Sequence, residues 1–144
     1  MEFKPSYFEK FVTPNFRYSE FLTSRSHSEM LSALRKDFVT SRFTYTVRLA
    51  IVAYFLECLR SYIGKPIFIT SGFRNTLLNS AVGGVANSDH KKMLAVDISL
   101  GSYDVSTIFL IETFIKSHSS FLRYYEFHDS YIHLSFHDYF KNLL

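Results

Sequence analysis

The chain has 144 residues, of which 47% are hydrophobic and 20% are charged. This balance fits one globular domain over residues 1–144 and excludes a disordered or fibrous chain. The net charge is +3, and no basic run is interleaved with the aromatic residues, which argues against a nucleic-acid-binding protein. The single cysteine, Cys58, excludes an intrachain disulfide.

The first half of the chain is predicted to be mainly helical. Residues 1–26 form an irregular, aromatic-rich N-terminal segment that we expect to pack on the core. Ser28 is a candidate helix cap, because an apolar helical pattern begins at Met30. The clearest helix covers 44–63, where apolar residues recur near helical spacing, and Gly64 is a plausible stop.

The second half alternates between short strands and helices. A polar loop follows the first strand, and a turn at 128–130 joins the last two strands. The pattern predicts an α+β fold in which a small antiparallel sheet packs against helices. The predicted strands are 67–70, 94–100, 122–127 and 131–136, and the predicted helices are 77–82 and 105–117.

Two polar residues stand within apolar strands, Asp97 and His133. Either residue alone is more often a hydrogen-bonded core residue than a functional one. A buried carboxylate is nevertheless costly without a cation, a set of donors or a metal. His90 lies seven residues before Asp97 and adds a third potential metal ligand, which favours a functional site over separate core residues. Two imidazoles and one carboxylate would supply three ligands of a tetrahedral zinc site and leave the fourth open.

Several short motifs occur in an order that is specific as a set. They are Ser-Gly-Phe-Arg at 71–74, Gly-Gly-Val at 83–85, Ser-x-His-x6-Asp at 88–97 and Tyr-x-His at 131–133. With this set of motifs the chain resembles the zinc D-alanyl-D-alanine carboxypeptidase family, in particular the small form found in phage lysins, over residues 15–136. The resemblance implies a hedgehog/DD-peptidase-like fold.

The resemblance also implies roles for individual residues. Arg74 would hold the substrate's carboxylate or its scissile carbonyl, although a loop-bracing ion pair is the plainer interpretation. Ser88 would fix the loop that presents the first zinc ligand, where substrate binds. His128 is not part of the motifs; it flanks the site and is a candidate for binding substrate or carrying a proton. The implied ligands of Zn²⁺ are His90, Asp97 and His133.

The general base is left open by the sequence. Many members of that family have an acid three residues before the last zinc histidine, where this chain has Ser130. Glu126 is the favoured candidate if its side chain shares a sheet face with His133. Asp129 is the second candidate, and the absence of any base is the third possibility. Met93 also stands where the related pattern has glycine, so we expect a loop of different shape that narrows the cleft.

These observations predict a hydrolase. We expect a monomeric zinc metallopeptidase that cuts peptidoglycan stem peptides, as a D,D-carboxypeptidase or an endopeptidase such as a phage endolysin. No signal peptide or membrane span is recognisable. We therefore expect synthesis in a bacterial cytoplasm, in a phage or prophage context, and action on the cell wall after release. The alternatives are a catalytically inactive zinc-binding module and a virion or host-interaction protein of the same fold.

Overall fold

The computed structural model describes residues 4–139 and 141. Its helices and strands are numbered here in chain order, and short 3-10 turns connect several of them. The strands are β1 (Phe11–Thr13), β2 (Phe16–Arg17), β3 (Ile69–Ser71), β4 (Ala95–Ser99), β5 (Leu122–Phe127) and β6 (Tyr131–Phe136). The helices are α1 (Tyr18–Phe21), α2 (Leu31–Thr40), α3 (Arg42–Ile63), α4 (Thr76–Ala81) and α5 (Val105–Ser117).

The larger sheet is antiparallel, with the strand order β3-β4-β6-β5. Its register pairs Ser71 with Asp97, Asp97 with His133, and His133 with Glu126. Residues paired across neighbouring strands point to the same face of a sheet. The register therefore places four polar residues in one row on one face of the sheet.

The core lies on the opposite face of this sheet. Val96 and Ile98 alternate with Asp97 along β4, and Ile132 and Leu134 flank His133 on β6; these four apolar residues are fully buried. They belong to the same hydrophobic cluster as the buried residues of α3 and α5. The mixed helical and antiparallel architecture confirms the predicted α+β fold.

The N-terminal segment is more regular than predicted. β1 and β2 form a small antiparallel pair, and α1 follows directly. Strands of three and two residues are too short for alternation to be visible in the sequence, so the expectation of an irregular segment was wrong. Phe16, Phe21 and Leu22 are almost fully buried in the main hydrophobic cluster. This packing brings the N-terminal segment close to the row of polar residues.

Helix ends depart from the prediction where side-chain caps were assumed. The 3-10 turn Ser28–Met30 precedes α2, and neither begins with a side-chain cap hydrogen bond. By contrast, Asn75 caps α4 by accepting a hydrogen bond from the amide of Leu78 at 2.9 Å. α3 ends as predicted at Gly64, whose φ of 69° is in the left-handed region that favours glycine.

Candidate metal centre

Three side chains from distant parts of the chain converge at the row of polar residues. His133 Nδ1 lies 2.7 Å from Asp97 Oδ1, and His90 Nε2 lies 3.3 Å from the same oxygen. One potential ligand atom from each of the three residues lies within 4.8 Å of the others. The structure thus brings together the three ligands predicted from the sequence.

His90 is held in a single orientation by its surroundings. The hydroxyl of Ser88 accepts a hydrogen bond from the His90 amide at 3.2 Å and caps the 3-10 turn Asp89–Lys92 that carries the imidazole. Nδ1 of the ring lies 2.7 Å from the carbonyl oxygen of Gly72, to which it can donate only when protonated. That tautomer leaves the lone pair on Nε2.

Nε2 of His90 is the feature that tests whether this site suits a metal ion. It is buried and has no hydrogen-bond partner among the described residues. A buried nitrogen without a partner is costly in a folded protein. Because its lone pair points toward Asp97, a cation between the two groups would satisfy both. The donor set therefore fits a metal ion.

The imidazole of His133 is oriented by a contact at Nε2, the ring nitrogen that does not face Asp97. Nε2 lies 2.7 Å from the hydroxyl of Ser135, which is fully buried. When Nε2 donates its proton to Ser135, Nδ1 presents a lone pair to Asp97. Such an outer partner commonly orients a histidine that ligates a metal. The sequence analysis missed Ser135, although a residue two positions along a strand shares the face of its neighbour.

Asp97 is ionised in this environment. Burial by itself would raise the pKa of Asp97, but the close polar contacts of its carboxylate with the imidazoles of His133 and His90 hold that pKa far below its ordinary value. A carboxylate that stays ionised while buried is suited to ligate a cation. The two oxygens also divide their contacts, since Oδ1 faces both imidazoles and Oδ2 lies 3.7 Å from Arg74.

Arg74 both braces its loop and lines the cleft. Its Nε donates to Ser71 Oγ at 3.2 Å, and its Nη1 donates to Asn79 Oδ1 at 3.4 Å. A Cβ on Gly84 would lie 2.2 Å from that Asn79 oxygen, which explains a glycine in the Gly-Gly-Val motif. Burial lowers the pKa of Arg74, and the charge of Asp97 opposes that shift. The two interpretations of Arg74 from the sequence are therefore compatible.

Gly72 is required by a close backbone approach. A Cβ at this position would lie 2.5 Å from the carbonyl oxygen of Phe21, closer than any side chain can be accommodated. The amide of Phe73 donates to that same oxygen at 2.8 Å. The N-terminal segment thus presses directly on the loop whose carbonyl orients His90.

Met93 adopts the conformation that favours glycine. Its φ of 57° and ψ of 36° lie in the left-handed region, which is uncommon for a residue with a side chain. The side chain is fully buried in the hydrophobic core and does not line the cleft. Met93 itself therefore does not narrow the cleft, and the expectation that a loop of different shape narrows it stays a prediction.

The two candidate bases occupy different positions. Glu126 pairs with His133 in the sheet register, so it meets the condition that its side chain share the ligand's face. It is largely exposed, and its carboxylate lies 3.7 Å from His128 Nε2. His128 in turn stacks on Tyr131, with ring centroids 4.3 Å apart. Asp129 is exposed in the turn between β5 and β6.

A second contact of the His90 turn was not anticipated from the sequence. Asp89 is buried, and both Nε and Nη2 of Arg123 donate to one of its carboxylate oxygens. Arg123 lies on β5, the strand that carries Glu126. This ion pair therefore ties the turn that presents His90 to the outer strand of the sheet.

A polar cleft of about 260 Å³ opens beside the three converging residues. Its walls include Arg74, Asp97 and Tyr131, together with residues 23–26 that follow α1. A larger cavity of about 670 Å³, with almost exclusively apolar walls, lies between α3 and α5 and includes Cys58. Of these two cavities, the smaller has Asp97 and Arg74 in its walls, so we place the functional site beside it.

Comparisons with known proteins agree with the geometry. A family model described as Peptidase M15 matches residues 14–135. This range contains the three converging residues, Arg74 and both candidate bases. A search of curated proteins found no match to the chain. In the described part of the chain, no helix is both long and apolar enough to cross a membrane.

Proposed function

The chain belongs to the peptidase M15 family, and from this premise we propose that it is a zinc-dependent peptidase of peptidoglycan stem peptides. Family membership and the convergent cluster support a metallopeptidase. The peptidoglycan substrate, and the choice between D,D-carboxypeptidase and endopeptidase, are our proposal.

The single observation that carries the proposal is the convergence of His90, Asp97 and His133, where one buried imidazole nitrogen has no hydrogen-bond partner within the described part of the chain. Two imidazole nitrogens and one carboxylate oxygen are the ligand set of many catalytic zinc sites, which keep one position open. When bound, zinc would act as a Lewis acid that activates water and polarises the scissile carbonyl.

The protein's own residues would complete the chemistry. Glu126 stands beside His133 on the same face and would accept a proton from the attacking water, then return it to the leaving amine. Arg74 would offset the negative charge that develops on the carbonyl oxygen. Asp129 remains the second candidate for the base. Ser88 and His128 would support substrate binding, the former through the turn that carries His90.

A peptidoglycan substrate is supported by the ordered motifs and by the nature of the cleft. The motifs resemble those of peptidases that act on D-alanyl-D-alanine. The cleft walls are rich in hydroxyl groups and contain two arginines, which suits a polar peptide better than an apolar one. The net charge of +3 would also favour approach to an anionic cell wall.

The proposal is tested by incubating the zinc-loaded protein with purified peptidoglycan and identifying the released fragments by mass spectrometry. We expect stem-peptide cleavage that a chelator abolishes. The Glu126→Gln variant should retain zinc and lose about 100-fold or more in kcat, because a positioned base commonly contributes that much. Asp129→Asn serves as the matched variant and should keep most of the activity.

The alternative function is a zinc-binding module without catalysis, which the serine at position 130 favours. Zinc content does not separate the two functions. Binding of stem peptides with no released fragments would identify the inactive module. Loss of activity in Asp129→Asn with retention in Glu126→Gln would move the role of base to Asp129.

A further inference from the structure

Arg25 lies in the wall of the cleft, on a segment that none of the chemical motifs includes. It belongs to residues 23–26, which follow α1 and face β3 across the cleft. Arg74 and Asp97 line the same cleft. The N-terminal segment therefore contributes a cationic side chain to the proposed active site.

The guanidinium of Arg25 makes no hydrogen bond or ion pair with residues 4–139 and 141. Other arginines near the site are engaged: Arg74 with Asp97 and Ser71, and Arg123 with Asp89. Asp97 is the one carboxylate among the described residues of the cleft wall, and its Oδ1 faces the two imidazoles. With a metal ion bound there, the cleft would carry an excess of positive charge.

The segment that carries Arg25 is tied to the core at its start, and residues 24–27 are linked to one another by local hydrogen bonds. Before it, Leu22 is fully buried and its carbonyl accepts a hydrogen bond from Arg35 at 3.4 Å. After it, the amide of His27 donates to Ser24 Oγ at 3.2 Å, and Ser26 Oγ lies 2.9 Å from His27 Nδ1. An anchored backbone reduces the entropy lost when a ligand is bound. Arg25 is thus presented to the cleft on a preorganised segment.

We infer that Arg25, together with Arg74, forms a subsite for a free carboxylate of the peptide substrate close to the scissile bond. This inference rests on the proposed function and names the chemical class that the site selects. A guanidinium donates in a planar fork that matches a carboxylate, and Arg25 offers that fork without breaking an existing ion pair. The subsite lies at the β3 edge of the polar row, and Glu126 lies at its β5 edge.

The test measures peptide binding separately from cleavage. Zinc-loaded Glu126→Gln protein, with and without Arg25→Gln, is titrated with three forms of a stem pentapeptide. One form has free carboxylates, one is amidated at its glutamate carboxylate, and one is amidated at its C-terminus. We expect Arg25→Gln to weaken binding of the free-acid peptide about tenfold. The loss should disappear for one of the two amidated forms, which identifies the carboxylate that is recognised.

Lys36→Gln is the matched control, because it also removes one positive charge from an exposed position but lies on α2, outside the cleft. It should bind all three peptides as the parent does. If Arg25→Gln weakened binding of all three peptides equally, the effect would be nonspecific electrostatics and the subsite would be overturned. The same conclusion would follow if Lys36→Gln weakened binding as much as Arg25→Gln. No measurable binding of any peptide would also overturn it. Failure of the unsubstituted enzyme to cleave peptidoglycan would instead count against the proposed function, because the titration requires no turnover.

Discussion

At the scale of single residues, the buried hydroxyl of Ser135 decides which nitrogen of His133 is available to a metal. With Nε2 held 2.7 Å from that hydroxyl, Nδ1 faces Asp97. Ser135→Ala removes the partner and frees the imidazole to change its tautomer or rotate. We expect the variant to bind zinc about 10- to 100-fold more weakly, as measured by competition with a chromogenic chelator. Ser99→Ala, on the neighbouring strand β4, is the control and should bind zinc as the parent does; equal affinities for the two variants would remove Ser135 from the site.

At the scale of elements, the contact between α1 and the loop after β3 links folding to the site. Gly72→Ala would force a Cβ to within 2.5 Å of the Phe21 carbonyl oxygen, so the two backbones must separate. We expect a loss of about 1–3 kcal/mol in the free energy of unfolding, measured by denaturant titration. Zinc affinity should fall as well, because the Gly72 carbonyl orients His90.

Gly101→Ala provides the control for this substitution. The nearest heavy atom to a Cβ at Gly101 is Ser99 Oγ at 3.7 Å, an ordinary contact, so its stability should change by less than about 1 kcal/mol. If Gly72→Ala were as stable as Gly101→Ala and bound zinc normally, the contact with Phe21 would have no role in holding the site.

Elements with long periodic patterns were predictable from the sequence, and those without were not. α5, β5 and β6 have the predicted limits because each combines a clear apolar period with a turn signal at its end. α3 begins two residues before the predicted start, within the usual uncertainty of helix ends. β1 and β2 escaped prediction because so few residues reveal no period, and their pairing depends on burial of Phe16 against the rest of the core.

At the scale of the whole molecule, the site depends on contacts between residues far apart in sequence. His90, Asp97 and His133 were identifiable because each is chemically unusual in its local context and the motifs occur in a set order. The roles of Gly72 and Arg25 were not, since they arise only when α1 and residues 23–26 are placed beside β3. The position of Ser135 could be predicted from the sequence, because strand alternation alone puts it on the same sheet face as His133. Its contact with the imidazole could not.

The stability of the folded chain should depend on zinc. A buried carboxylate lies against two imidazoles, and one imidazole nitrogen has no hydrogen-bond partner among the described residues, so a bound cation would stabilise the fold. A ligand that binds only the folded state at 100 times its Kd stabilises it by about 2.7 kcal/mol. For a chain of this length that corresponds to a rise in Tm of roughly 5–10 °C, which calorimetry with and without zinc would measure.

The rise in Tm should shrink as the pH is lowered, because protons compete with the metal for its ligand atoms. His90→Ala should remove most of it at every pH, whereas His137→Ala, which alters a histidine outside the cluster, should leave it unchanged. A zinc-dependent rise of the same size in His90→Ala would mean that the metal binds elsewhere, and the assignment of the centre to these three side chains would then be wrong.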